Sequence, residues 1–167
     1  MLGDGELAVL RAMSTITRST DMDEFLRLVG LTSAELTETL RDLAKEGFVT
    51  KTGKGYAIAE KGKTALKARA VFPEGSEFSF YVAVGQPAGL SARSLVEFYE
   101  VVGKVDVASL EFHLYRGDFE NWVKAIVGDA VLASEFESLR HGELKGESLR
   151  EKLAAVIEAR YGAEALK

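Results

Sequence analysis

The chain has 167 residues, 47% of them hydrophobic, enough to bury one substantial core or two small ones. It has no cysteine, which excludes disulfides and thiolate metal sites, and its longest apolar run falls far short of a membrane span. The net charge of −5 is unevenly spread: Lys51–Phe72 carries six Lys and Arg against one Asp or Glu, whereas Met1–Thr50 carries five against nine and Pro73–Lys167 ten against sixteen.

The first predicted helix runs from about Asp4 to Ser14, with Leu7, Ala8 and Leu10 on one face and Asp4 as its cap. Ser14–Thr20 is polar and β-branched and reads as a connection or a short strand. Asp21 starts a second helix that turns Phe25, Leu26 and Val29 inward, and Gly30 stops it. Thr32 starts a third, with Glu35 completing a capping box and Leu36, Leu40 and Leu43 at helical spacing up to Gly47. Phe48–Lys51 and Tyr56–Ile58 alternate as two strands around the turn Gly53-Lys54-Gly55, and Glu60 to about Ala70 reads as a fourth helix.

Pro73-Glu74-Gly75 marks a boundary, dividing the chain into domains 1–72 and 73–167. Beyond it, Phe78–Val84 reads as a strand and Leu90–Val102 as a helix capped by Ser91, with Leu95, Phe98, Tyr99 and Val102 on its face. Leu110–Tyr115 is either a second strand or the buried extension of a helix. Asp118 is placed as the cap of a helix carrying Phe119, Trp122, Val123 and Ile126 to Gly128. Asp129 caps the next, with Leu132, Ala133, Phe136 and Leu139. Gly142 and Gly146 bracket a loop, and Glu147 to about Tyr161 is a last amphipathic helix. The expected fold class is α+β, mostly helical: a helical domain with a hairpin followed by a second small α+β domain.

The order helix, connection, helix, Gly turn, helix, hairpin, helix resembles the winged helix-turn-helix of bacterial and archaeal regulators, including MarR-type proteins. The likeness spans roughly residues 2–70. It rests on LTSAELTETLRDLAKEGFV at 31–49, TKTGKGYAI at 50–58 and EKGK at 60–63. Ala59 stands where Thr is common in that pattern. The region 78–161 resembles an uncharacterised archaeal domain family with no assigned activity, on FHLYRGDFENWV at 112–123, VGDAVLA at 127–133 and ESLR at 147–150. The first resemblance implies a DNA-binding transcriptional regulator; the second implies a fold unit and no chemistry.

On the third helix the solvent side is expected to carry Ser33, Thr37, Arg41 and Lys45. Ser and Thr hydroxyls bond phosphate or bases, and an Arg can read guanine in the major groove by two hydrogen bonds. Glu35, Glu38 and Asp42 oppose this, since carboxylates on a groove-facing surface repel phosphate, and they favour an alternative in which the helix contacts protein. Lys51, Lys54, Lys61 and Lys63 flank the hairpin tip and suit sequence-tolerant phosphate contact; the alternative is lysines guarding a sheet edge.

His113, Arg116 and Asp118 have too loose a spacing to define an acid/base pair, and His113 reads as a partly buried structural histidine. His141 is the only other histidine, so no zinc spacing is present. The loop Gly85-Gln86-Pro87-Ala88-Gly89 lacks the Lys-Ser/Thr of a P-loop and the three-glycine dinucleotide fingerprint, and the aromatics of the second domain fall at core spacings. No catalytic residue, metal or cofactor is therefore expected. Asp4 and Glu6 stand where a secretory signal is positive, which points to a cytoplasmic protein without a membrane association. A single Asn121 and a single Gln86 beside abundant Glu, Lys and Arg resemble thermophile usage. The expected partners are double-stranded DNA, a second copy of the chain, and an effector or protein partner for the second domain.

Overall fold

The computed structural model describes residues 2–16, 21–53 and 55–167. The fold is α+β and mostly helical, with two separate two-stranded antiparallel sheets among the described residues. The chain divides into two compact units, Met1–Lys67 and Ala68–Leu166. This division falls inside a helix rather than at Pro73.

Unit 1 contains α1 (Asp4–Thr15), α2 (Met22–Val29), α3 (Ser33–Lys45), β1 (Val49–Thr52), β2 (Gly55–Ile58) and most of α4 (Glu60–Arg69). Gly3, not Asp4, caps α1, and its N–H is satisfied by the Glu6 carboxylate at 2.8 Å. Asp21 caps α2 by accepting from the Asp23 N–H, and Gly30 ends it at φ 70°, a left-handed conformation that costs glycine little. Thr32 and Glu35 form the reciprocal capping box of α3: Glu35 N–H donates to Thr32 Oγ1 at 3.3 Å, and the Glu35 carboxylate accepts from Thr32 N–H at 2.7 Å. The strands pair from Val49 opposite Ile58 to Thr52 opposite Gly55. Leu7, Val9 and Leu10 of α1, Leu36 and Leu43 of α3, Phe48, Val49 and Ala65 are buried together as the core.

Gly62 makes this core possible. A Cβ at that position would lie 2.4 Å from the Phe48 carbonyl oxygen, 2.9 Å from Ile58 Cγ1 and 3.3 Å from Leu10 Cδ2. Only a residue without a side chain lets α4 approach the hairpin base this closely. The glycine of the EKGK segment at 60–63 is thus a packing residue.

Unit 2 comprises β3 (Phe78–Ala83), β4 (Gln86–Ala92), α5 (Leu95–Val102), α6 (Val107–Arg116), α7 (Asp118–Trp122), a π-helical turn over Val123–Val127, α8 (Ala130–Arg140), α9 (Gly146–Tyr161) and α10 (Ala163–Leu166). One expectation is corrected here and one open alternative is decided. The helix expected from Leu90 begins only at Leu95, capped by Ser94, whose Oγ accepts from the Glu97 N–H at 3.1 Å. The preceding residues form β4, because Pro87 and Gly89 disfavour helix and Gly85, at φ 72°, closes a two-residue turn onto β3. Leu110–Tyr115 belongs to a helix capped by Asp106, so the strand alternation that would group Glu111, His113 and Tyr115 on one face does not apply.

An aromatic core fills unit 2. Phe78 meets Phe98 edge-on at 5.6 Å, and Phe98 stacks on Trp122 at 5.2 Å. The Trp122 indole N–H donates to the Ser76 carbonyl at 2.8 Å. Asp129, 2% exposed, caps α8 through the Leu132 N–H and accepts from the Arg160 guanidinium and the Tyr161 hydroxyl, tying α8 to the end of α9. Those partners outweigh the burial that would raise its carboxyl, and they hold it down at about 2.

Candidate functional site

Ser33, Thr37, Arg41 and Lys45 are all exposed on α3. At about 100° per residue, Arg41 and Lys45 fall within roughly 30° of the direction opposite Leu36 and Leu43. Ser33 and Thr37 then lie along one flank, and Asp42 and Glu35 along the other, with Glu38 near the centre. The Thr37 hydroxyl donates back to the Ser33 carbonyl at 2.9 Å, which leaves its lone pairs outward. Glu35 is committed to the capping box, and the Thr32 N–H and hydroxyl hold its carboxyl below the usual carboxylate range. The carboxylates left outward on this surface are therefore Glu38 and Asp42. Neither Arg41 nor Lys45 has an ion-pair partner among the described residues.

The four lysines around the hairpin are not equivalent. Lys51 is exposed on β1. Lys54 lies outside the described residues. Lys63 is exposed and pairs with Glu60 at 2.8 Å, a surface contact of small net value that another anion can displace. Lys61 is turned inward: its ammonium donates to the Glu46 carbonyl at 2.7 Å and lies 4.5 Å over the Phe48 ring. It satisfies one of the orphan carbonyls at the end of α3, which is a structural task. Composition could not separate Lys61 from its neighbours; its place on the first turn of α4, facing the α3 terminus, does.

The second cluster lies in unit 2. His113 is 4% exposed on α6, ringed by Phe78, Phe80, Phe112 and Phe119 with centroids 4.8–6.0 Å away. Its Nε2 accepts the Tyr81 backbone N–H at 2.8 Å, so the ring proton sits on Nδ1 and donates to Asp118 Oδ2, also at 2.8 Å. Asp118 makes no cap: Gly117, at φ 80°, precedes α7, and the carboxylate reaches back to His113 and to Arg116 Nε at 3.4 Å. Arg116 also lies 4.7 Å over the Phe112 ring. With both ring nitrogens engaged, His113 must give up one of these two bonds before it can take up a proton. The pairing with Tyr81, 32 residues away, had no local signal in the sequence.

Among the described residues no group of three or more His, Asp or Glu could hold a metal ion, and no helix is long and apolar enough to cross a membrane. Searches with family models, among curated proteins and among solved structures find no match to this chain.

Proposed function

We propose that unit 1 is a winged helix-turn-helix that binds double-stranded DNA, with α3 as recognition helix and β1–β2 as wing. The chain is then a cytoplasmic transcriptional regulator whose second unit dimerises or senses an effector or a protein partner. The observation that carries this reading is the outer face of α3. Ser33, Thr37, Arg41 and Lys45 are exposed along it, and the two cations hold no internal ion pair among the described residues that DNA would have to break. The order α2, Gly30 turn, α3, hairpin supports it, because a helix entering the major groove with a flanking hairpin on phosphate is the usual docking of this motif. Arg41 and Lys45 point to base and phosphate contact, Lys51 to phosphate.

The test is fluorescence anisotropy of the full chain on a pool of random-sequence duplexes at several salt concentrations. The expected result is binding whose logarithm falls linearly with the logarithm of salt, by about 0.9 per phosphate contacted. Salt-insensitive or absent binding to every duplex would overturn the proposal. It would leave the protein-contact alternative, which the exposed Glu38 and Asp42 on the same helix favour.

A further inference from the structure

We infer that His113 is a proton-operated latch on the β3–β4 hairpin: protonating Nε2 turns the acceptor of the Tyr81 N–H into a second donor and releases the distal end of the hairpin, Tyr81–Gln86, from α6. The strand is built to depend on this bond. The β3–β4 ladder is irregular on both sides of Tyr81, whose cross-strand partner is Pro87. Such an irregularity re-aims backbone groups away from the partner strand, and here it directs the Tyr81 N–H at the imidazole. An imidazolium there would set two donors face to face.

The release is confined to one end. Phe78 and Phe80, at 6% and 1% exposure, anchor the base of β3 in the aromatic core. Tyr81, Val82 and Ala83 are only half-buried and Val84 is 77% exposed, so lifting the distal end uncovers little apolar surface. The same end forms one wall of an open pocket of about 340 Å³ that Phe112, His113 and Asp118 also line, so the proton also changes the shape of that pocket.

The charged and titratable groups facing His113 among the described residues are Asp118 of α7, Arg116 of α6 and Tyr81 of β3, and the rings of Phe78, Phe80, Phe112 and Phe119 surround it. Burial among those rings disfavours the imidazolium more than Asp118 favours it, and Arg116 opposes it further, so the ring titrates below the ordinary value of 6.5. The latch is therefore closed at neutral pH and opens on acidification.

The experiment is NMR on the full chain from roughly pH 8 to pH 5, following the His113 ring nitrogens and amide protection corrected for intrinsic exchange. At the upper end the ring should be the Nδ1–H tautomer. On acidification Tyr81 protection should fall about tenfold or more, with the midpoint of the His113 titration, while Phe78 and Leu153 amides stay protected. Asp118→Asn should move that midpoint to lower pH, and Arg116→Ala to higher pH. Tyr81 protection that does not follow the His113 titration overturns the latch. So does a midpoint that neither variant moves, or simultaneous loss of protection throughout unit 2, which is global unfolding.

Discussion

Replacing Gly62 by alanine places a methyl carbon 2.4 Å from the Phe48 carbonyl oxygen and 2.9 Å from Ile58 Cγ1. The first neighbour is backbone, and that same carbonyl accepts the Ala59 N–H at 3.0 Å, so it cannot move without straining the turn into α4. Relieving such overpacking costs about 1–3 kcal/mol, and weakening a buried backbone hydrogen bond costs about 1 kcal/mol more. The helical preference for alanine over glycine returns about 1 kcal/mol. The net is a loss of roughly 1–3 kcal/mol confined to unit 1, or about 4–8 °C of unfolding midpoint per kcal/mol for a unit of this size. Gly5→Ala is the matched control: it lies in α1 with nothing within 4 Å of the added methyl, so it should raise stability by up to about 1 kcal/mol. The assay is thermal unfolding of both variants, followed by circular dichroism and by amide exchange in unit 1. A Gly62→Ala midpoint equal to or above wild type would refute the close approach of α4 to the hairpin.

Further outcomes are expected at five other positions. Arg41→Ala should fold normally and relax the preference at one base position by about 1–3 kcal/mol, read from a binding-site selection profile; Lys51→Ala should weaken all duplexes alike and flatten the salt slope by about one unit. Lys61→Met should do the reverse, lowering the unit 1 midpoint through loss of the Glu46 carbonyl contact while leaving the salt slope unchanged. Thr32→Ala should cost about 1 kcal/mol by removing one side of the α3 capping box, measured by urea unfolding. Asp129 carries a folded-state value of about 2 against 3.8, so its contribution is complete above 3.8 and is lost as pH falls toward 2. Asp129→Asn should destabilise unit 2 by about 2 kcal/mol at neutral pH, because Arg160 is left able to reach solvent, and flatten the pH dependence of stability across that acid window.

Local chemistry was legible in the sequence. The Thr32–Glu35 box, the Asp21 and Asp129 caps, and the Gly30 and Gly128 stops depend on residues at most five apart, so the order of letters suffices to find them. The exposed stripe of α3 was legible for the same reason: helical periodicity alone places Arg41 and Lys45 opposite Leu36 and Leu43, with Ser33 and Thr37 on the adjoining flank. What tertiary structure decided were the cases where two distant segments compete for one group. β4 exists because β3 supplies a partner for residues that the sequence reads as a loop up to Gly89 and a helix from Leu90, and Leu110–Tyr115 is helical although its apolar run fits either state. Asp118 could cap a helix from sequence; with Gly117 in the left-handed region, its carboxylate instead reaches a histidine that also holds a strand 32 residues away. Lys61 and Gly62 look like solvent and spacer, yet one satisfies the α3 terminus and the other admits the Phe48 carbonyl. Periodicity assigns a residue to a face; only packing determines which donor, acceptor or empty volume waits on that face.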